Sequence, residues 1–360
     1  MRIGIISPYS LSLPGGVQAQ VLALARALRD KGHDARVLGP CDGPPPDSSV
    51  TPLGNSIPTA ANGSVAPIAP DPSAQLRTIR ALRDEEFDVV HLHEPMAPGP
   101  TMTAMVFKES PLVGTFHAAG ASQAYTWFNP VVRWLVRRLD VRTAVSDDAR
   151  AMAQKALGGE YIVLFNGIEI DRIERTVPIE ADTPTIFFVG RHEPRKGLDV
   201  LLHAMALLPA NVRLWIAGDG PDTPRLMSTV AGDPRIEWLG RISDEEKFAR
   251  LRGATVFCAP SLRGESFGVV LLEAMAAHTP IVASNLHGYA NVARADRDAV
   301  LVAPDDSAAL AGALSSVIGD RDFASRLVKS GIDRAAGYSM TALAELYLDL
   351  YEAAIAKSGP

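Results

Sequence analysis

Cysteine is scarce in this chain of 360 residues, which has only Cys41 and Cys258, far apart and without metal-type spacing. This scarcity excludes a disulfide scaffold and a cysteine-based metal site, and it fits a reducing cytoplasm. Long apolar runs are also missing: the first, 3–6, is too short for the core of a signal peptide. No run approaches the ~18 apolar residues of a spanning helix, so any membrane contact would be peripheral.

A surplus of basic residues is absent as well, since 35 Lys and Arg face 41 Asp and Glu, for a formal net charge of −6. Nucleic-acid-binding proteins are basic overall, so this class is excluded, and an anionic partner must be met by local patches. With 47% hydrophobic residues, the chain is long enough for two hydrophobic cores. We therefore expect two domains.

Short apolar runs alternate with longer helical patterns in two series, which predicts an α/β fold with two parallel sheets. The first series has strand candidates at 2–6, 35–38, 88–92, 112–116, 141–145 and 161–164. The second has them at 185–189, 212–216, 236–238, 255–258, 280–283 and 299–302. Between the series, 168–183 is interpreted as a linker, and 43–72 as long loops around at most a short strand. A last helix, 341–357, places Leu343, Leu346, Tyr347 and Leu350 on one apolar stripe.

A glycine pair, Gly15 and Gly16, lies between the first strand and a helical pattern at 18–31. Glycine lets backbone N–H groups approach an anion, and the positive end of the helix dipole favours a phosphate there. The pattern matches neither the GxGxxG of dinucleotide sites nor the GxxxxGK[ST] of ATP sites. It therefore indicates a phosphate site of another kind, or a plain turn.

Two cations, Arg191 and Lys196, follow the first strand of the second series within a loop rich in Gly and Pro. Ligands of open parallel sheets collect at the carboxyl ends of strands, and a guanidinium with an ammonium suits a diphosphate. The alternative is a solvated charged loop.

Two acids, Glu265 and Glu273, flank a predicted helix start after a Gly-flanked loop. One carboxylate in the loop and one two turns down the helix can accept hydrogen bonds from the hydroxyls of a sugar and a ribose. The alternative is that Glu265 caps the helix and Glu273 forms an ion pair.

Three histidines lie at strand ends: His117 follows the strand at 112–116, and His91 and His93 precede Glu94. His117 is expected to face a ligand, or else to be an ordinary loop histidine. One of His91 and His93 is expected to face the core, and no third ligand suggests a metal site. The segment 125–139, with Trp127, Phe128, Trp134 and several Arg, predicts a helix for a lipid interface or one packed on the first sheet.

These motifs together resemble the family 4 retaining glycosyltransferases of the GT-B fold, over nearly the whole chain. The E-x7-E pattern of Glu265 and Glu273, combined with the Arg191 and Lys196 loop, carries the resemblance. The stretches 1–4, 8–10, 14–18, 62–66, 91–95, 115–117, 144–147 and 264–268 look most like those of actinobacterial phosphatidylinositol mannosyltransferases. The resemblance implies two Rossmann-like domains, 1–170 and 171–338, facing a central cleft, with helix 339–360 returning to the N-terminal domain.

The resemblance also implies roles for individual residues. Gly15, Gly16, Arg191 and Lys196 would hold the diphosphate. Glu265 and His117 would contact the transferred sugar, Glu273 the ribose and Asp244 the guanine, although Asp244 could equally begin a helix. The implied donor-binding set further includes Ser266, Phe267, Gly268 and Val269. The implied acceptor-binding set is Tyr9, Asn62, Gly63 and Ser64.

The implied reaction is front-side transfer of a hexose with retention, from GDP-mannose to a phosphatidylinositol-like lipid or a polyol. No protein nucleophile is evident, and we expect neither a cofactor nor a metal. The expected partners are the nucleotide sugar and an anionic lipid surface, at the inner face of the plasma membrane, and the oligomeric state is not predicted. The alternatives are a UDP-sugar donor with a soluble acceptor, a nucleotide-sugar epimerase on the same plan, and a sugar-binding module without turnover.

Overall fold

Two parallel sheets organise the chain in the computed structural model, which describes residues 1–61, 64–117, 129–265 and 267–357. Each sheet has its own unit: Met1–Gly167 with Met340–Pro360 forms the first, and Ile168–Ser339 forms the second. The sequence predicted the boundaries between the two units after residue 170 and after residue 338.

The first unit contains a seven-stranded sheet in the order β3-β2-β1-β6-β7-β8-β9, with every pair parallel. Its strands are β1 (Arg2–Ile6), β2 (Asp34–Gly39), β3 (Val50–Pro52), β6 (Val89–His93), β7 (Leu112–Phe116), β8 (Val141–Ala144) and β9 (Ile162–Val163). A separate antiparallel hairpin pairs β4 (Ile57–Ala61) with β5 (Ser64–Ile68). Every residue of β6 and β7 is buried, as expected for central strands covered on both faces.

The stretch 43–72 therefore holds three strands, and the prediction of loops with at most one short strand was wrong. β3 has only three residues, too few to show an alternating pattern. In the hairpin, Pro58 and Pro67 disguise the strands, because proline is typical of sheet edges and loops. The dipeptide Asn62-Gly63 between the two strands was the available sequence signal, since it is common in two-residue hairpin loops.

Helices cover both faces of the first sheet. They are α1 (Gly16–Asp30), α2 (Pro72–Glu85), α3 (Pro100–Phe107), α4 (Asn129–Arg137), α5 (Asp147–Leu157) and the C-terminal helix α14 (Met340–Lys357). Helix α14 packs with α1 into the core under β1, so the predicted return to the N-terminal half is confirmed. Leu343 and Tyr347 are buried as expected, but Leu346 is 40% exposed, and Tyr351 completes the buried stripe instead.

The second unit contains a six-stranded parallel sheet in the order β12-β11-β10-β13-β14-β15. Its strands are β10 (Thr185–Val189), β11 (Arg213–Ala217), β12 (Ile236–Gly240), β13 (Val256–Ala259), β14 (Ile281–Ser284) and β15 (Val300–Val302). Its helices are α6 (Ile170–Arg175), α7 (Leu198–Met205), α8 (Thr223–Thr229), α9 (Asp244–Gly253), α10 (Val269–Ala276), α11 (His287–Ala290), α12 (Ser307–Gly319) and α13 (Arg321–Ala336).

The segment expected to be a plain linker, 168–183, contains α6, and Ile173 in the middle of that helix is fully buried. A helix of six residues is too short for its periodicity to stand out against the surrounding charges. None of the helices within the described ranges is long and apolar enough to cross a bilayer.

Candidate active site

The strand order of each sheet reverses beside its first strand: β1 lies between β2 and β6, and β10 lies between β11 and β13. Ligands of open parallel sheets bind at the carboxyl ends of the strands at such a switch point. In the second sheet, β10 leads into a 3-10 helix at Pro194–Lys196, and β13 leads into the loop before α10. These two segments carry Arg191, Lys196 and Glu265.

The carboxylate of Glu265 joins the two segments. Its Oε1 accepts hydrogen bonds from Lys196 Nζ at 2.7 Å and from Ser261 Oγ at 2.9 Å, and Arg195 Nη1 lies 3.7 Å away. The side chains of Lys196 and Glu265 are only 20% and 12% exposed. A charge-assisted hydrogen bond in such a partly desolvated place is stronger than an exposed ion pair. Lys196 and Glu265 are 69 positions apart in the chain but form a hydrogen-bonded ion pair in the fold.

Arg191 reaches the same cluster through a second acid. Glu193 binds Arg191 Nε with Oε1 at 3.0 Å and Arg195 Nε with Oε2 at 2.9 Å. The chain of contacts thus runs from Arg191 through Glu193 and Arg195 to Glu265. Because the Arg191 side chain is 47% exposed, its guanidinium can still bind an anion.

Glycine makes the close approach of the two segments possible. Gly197 has φ 66°, and a Cβ there would lie 2.0 Å from the carbonyl oxygen of Pro260. Gly268, with φ 84°, precedes Val269 at the start of α10, which has no side-chain cap. Glu265 therefore does not cap this helix, contrary to the plain structural alternative. Phe267 is buried edge-on against a tyrosine ring, and Ser266 lies outside the described residues.

Glu273 belongs to a second cluster with Asp244. Lys247 Nζ donates to Glu273 Oε1 at 2.9 Å and lies 3.1 Å from Asp244 Oδ1. Burial lowers the pKa of Lys247, but the charges of Glu273 and Asp244 outweigh it and leave the pKa raised. Ser243, not Asp244, caps α9, because its hydroxyl accepts the amide hydrogen of Glu246. The side chain of Asp244 is half exposed.

Three histidines form a row along β6 and at the end of β7, in which His91 and His93 are buried and His117 is partly buried. His93 Nδ1 lies 2.8 Å from His117 Nε2, and the rings of His91 and His93 are 4.4 Å apart. His91 is held by Tyr351 Oη at 2.8 Å and Thr115 Oγ1 at 2.6 Å. The sequence predicted that one of His91 and His93 faces the core, and both are buried, because positions two apart share a sheet face and α14 packs against it.

Burial keeps these rings neutral. It lowers the pKa of His117 from 6.5 to about 4, and burial together with the neighbouring His117 lowers the pKa of His91 to about 3. The pKa of His93 is also well below 6.5, through burial and then its two histidine neighbours. His117 can therefore donate or accept a hydrogen bond near neutral pH, but it carries no charge.

The structure describes the other candidates of the first unit only in part. Tyr9 is partly buried, and burial and then the charge of Glu94 raise its pKa. Gly15 and Gly16 are exposed at the start of α1, which has no side-chain cap and no acid in its first turn. Asn62 and Gly63 lie outside the described residues, and only the backbone of Ser64, at the start of β5, is described.

Five contributors were not in the predicted set: Glu94, Glu193, Arg195, Ser261 and Lys247. The sequence signal for Lys247 was its position one helical turn after Asp244. Ser261 lies two residues after β13, and Glu94 follows β6 directly, so both could have been found by asking which polar residues follow central strands. Within the described part of the chain, no three His, Cys, Asp or Glu residues are grouped to hold a metal ion.

Comparison with known proteins assigns the class. Residues 183–320 match the model described as "Glycosyl transferases group 1", and residues 14–172 match that of "Glycosyltransferase Family 4". The chain belongs to the family 4 glycosyltransferases and is a hexosyltransferase of the GT-B fold, so the predicted family, fold class and enzyme class are confirmed.

Two curated relatives of the chain share one name. The chain is 41% identical to the phosphatidyl-myo-inositol mannosyltransferase of Mycobacterium leprae, over 100% of this chain and 98% of the relative. It is 37% identical to the enzyme of the same name from Mycolicibacterium smegmatis, covering 98% and 94%. Among solved structures, Anabaena HepE in complex with UDP-glucose superposes with a TM-score of 0.72 at 18% identity, covering 98% and 99%.

Proposed function

We propose that the enzyme transfers mannose, with retention, from GDP-mannose to a phosphatidylinositol-like lipid. The observation that carries the proposal is the Lys196–Glu265 pair at the switch point of the second sheet. It combines a cation for the leaving diphosphate with a carboxylate for the sugar, in a chain 41% identical to a phosphatidyl-myo-inositol mannosyltransferase. A polyol acceptor remains the alternative.

The diphosphate would be held by two kinds of cation. The half-exposed guanidinium of Arg191 supplies bidentate contacts, and the ammonium of Lys196 supplies a point charge. Charge that develops on the leaving group is then met by groups already fixed through Glu193 and Glu265, so little reorganisation is needed in the transition state. The amides at Gly15 and Gly16, at the positive end of α1, suit the same anion.

The nucleoside would be read by the second cluster. Glu273 accepts from the ribose hydroxyls, and Asp244 accepts from N1–H and N2–H of guanine. Lys247 between them lowers the repulsion of two carboxylates. Uracil offers a single ring N–H, so the Asp244 carboxylate favours GDP over UDP.

In the transfer step, the bond between the anomeric carbon and the phosphate oxygen breaks and an oxocarbenium-like centre forms. The acceptor hydroxyl attacks from the same face, and its proton passes to the departing phosphate. Glu265 and the neutral His117 hold sugar hydroxyls, and Tyr9, Asn62, Gly63 and Ser64 are the proposed acceptor contacts. Positioning and charge stabilisation supply the catalysis, without a metal or cofactor.

Helix α4 is the proposed lipid contact. Val132, Leu135 and Val136 are buried in the core of the first unit, so this face of α4 is packed as the second interpretation expected. On the other side Val131 and Trp134 are exposed, and the guanidinium of Arg138 lies 5.1 Å from the centre of the Trp134 ring. Exposed apolar side chains beside arginines suit an anionic interface such as the inner face of the plasma membrane.

The test measures lipid-linked mannose formed from labelled GDP-mannose and phosphatidylinositol vesicles. Wild type is expected to produce it with excess EDTA present, and Lys196→Ala is expected to lose it. Dependence on a divalent ion would remove the metal-independent mechanism. Turnover with UDP-sugars alone would overturn the base assignment, and isomerised donor without an acceptor would indicate an epimerase. Equal flotation of wild type and Trp134→Ser with anionic vesicles would remove α4 as the lipid contact.

A further inference from the structure

We propose that two consecutive residues at the end of β6, His93 and Glu94, are positioning residues that hold His117 by its ring and by its main chain. The inference rests on the proposed function only in that His117 contacts the transferred sugar.

The ring is held from one side. His93 Nδ1 and His117 Nε2 are 2.8 Å apart, and their rings are stacked with centroids 5.0 Å apart. Because both rings are kept neutral by burial, one N–H and one lone pair meet in this contact, which is a hydrogen bond rather than a repulsion. His93 is 2% exposed and backed by the His91 ring, so it has little freedom to rotate.

Glu94, the residue after His93, holds the main chain of His117. Glu94 Oε1 accepts the backbone N–H of His117 at 2.8 Å, while the backbone N–H of Glu94 donates to Thr115. Glu94 adopts φ 46°, which is uncommon for a residue with a side chain and is retained when surrounding contacts demand it. Glu94 is 5% exposed, and its carboxylate accepts the hydrogen of the first backbone amide after β7.

Both contacts act on His117, which follows β7 and is assigned to the sugar. A misplacement of about 1 Å at such a group can lower turnover about 10²-fold. In the proposed function the clusters around Lys196 and Lys247 bind the diphosphate and the nucleoside of the donor, so a shift of His117 is expected to act on turnover more than on donor affinity.

The experiment uses the full-length enzyme with GDP-mannose and phosphatidylinositol vesicles. His93→Leu removes the ring contact, whereas His93→Asn keeps a side-chain nitrogen and oxygen near the Nδ1 position. We expect His93→Leu to lower kcat 10- to 100-fold with KM for the donor within twofold, and His93→Asn to recover most of it. His203→Leu, at an exposed histidine of α7, is the matched control and should have wild-type kcat.

Glu94 gives an independent arm. Glu94→Gln keeps an oxygen that accepts the His117 amide and should retain kcat, whereas Glu94→Leu should lose it as His93→Leu does. If Glu94→Gln is as inactive as Glu94→Leu, the negative charge matters and the positioning role is overturned.

A spectroscopic readout separates positioning from loss of fold and from failure of the proposed function. Protein labelled with ¹⁵N-histidine should show a scalar coupling across the His93–His117 hydrogen bond, in the wild type but not in His93→Leu. Absence of that coupling in the wild type would overturn the inference even if transfer occurs. If His117→Ala transfers mannose normally, the role of His117 in the proposed function fails, yet the coupling still decides whether His93 holds the ring. If His117 does contact the sugar, adding His93→Leu to His117→Ala should lower kcat no further.

Discussion

Replacing Lys196 by Met removes the ammonium while keeping most of the apolar stem. The Lys196 Nζ to Glu265 Oε1 distance is 2.7 Å, but Glu265 also has Ser261 and Arg195 near it, so the carboxylate is not left alone. We therefore expect a stability loss of about 1–2 kcal/mol, below the 3–5 kcal/mol of a stranded buried charge. A lost charge-assisted contact to the diphosphate is worth about 1.5–3 kcal/mol, which raises Kd for GDP about 10- to 150-fold.

Glu265→Gln distinguishes binding of the sugar from binding of the nucleotide. Since Glu265 is assigned to the hexose, this variant should bind GDP within about threefold of the wild type, a change of less than 1 kcal/mol, yet lose most of its turnover. Calorimetric titration with GDP and GDP-mannose measures both, and Lys329→Met, at an exposed lysine of α13, controls for charge removal. Unchanged GDP affinity in Lys196→Met would refute the assignment of Lys196. Equal losses of GDP affinity in both variants would mean that Glu265 acts only by holding the ammonium.

Three further predictions concern stability and can be read from chemical or thermal unfolding. Gly197→Ala should lower the free energy of unfolding by about 1–3 kcal/mol, because φ is 66° and the new Cβ would lie 2.0 Å from the carbonyl oxygen of Pro260. Unchanged stability would contradict the close approach of this glycine to Pro260. Gly312→Ala, in the exposed interior of α12 with open space around it, should instead stabilise by about 0.5–1 kcal/mol. Stability should fall as pH drops from 6.5 towards 4, because the unfolded state binds a proton at His117 at a higher pH than the folded state does. The difference between the two pKa values corresponds to about 3 kcal/mol of unfolding free energy. His117→Asn should therefore flatten the curve of stability against pH in that range.

Local patterns were enough to predict the α/β class, most of the strands and helices, and the loops that carry chemistry. The strands β1 and β7 were predicted at the residues where they occur, and the E-x7-E spacing was visible without any fold. Apolar runs and helical periodicity depend on neighbours within a few residues, so these features are encoded locally. Where the pattern was too short or contained prolines, as in β3 and the β4–β5 hairpin, the prediction failed.

Contacts between distant segments required the tertiary structure. Lys196 meets Glu265 because β10 pairs with β13 across a crossover, and His93 meets His117 because β6 pairs with β7. The contact of Glu94 with His117 follows from the second pairing. Lys247 meets Glu273 because α9 packs on α10, and Tyr351 is buried against His91 because α14 packs on β6. Strand order depends on long-range packing and loop closure, and no periodicity within a segment encodes it. The sequence thus named most of the chemical groups, and the pairing of strands together with the packing of helices decided which of them meet.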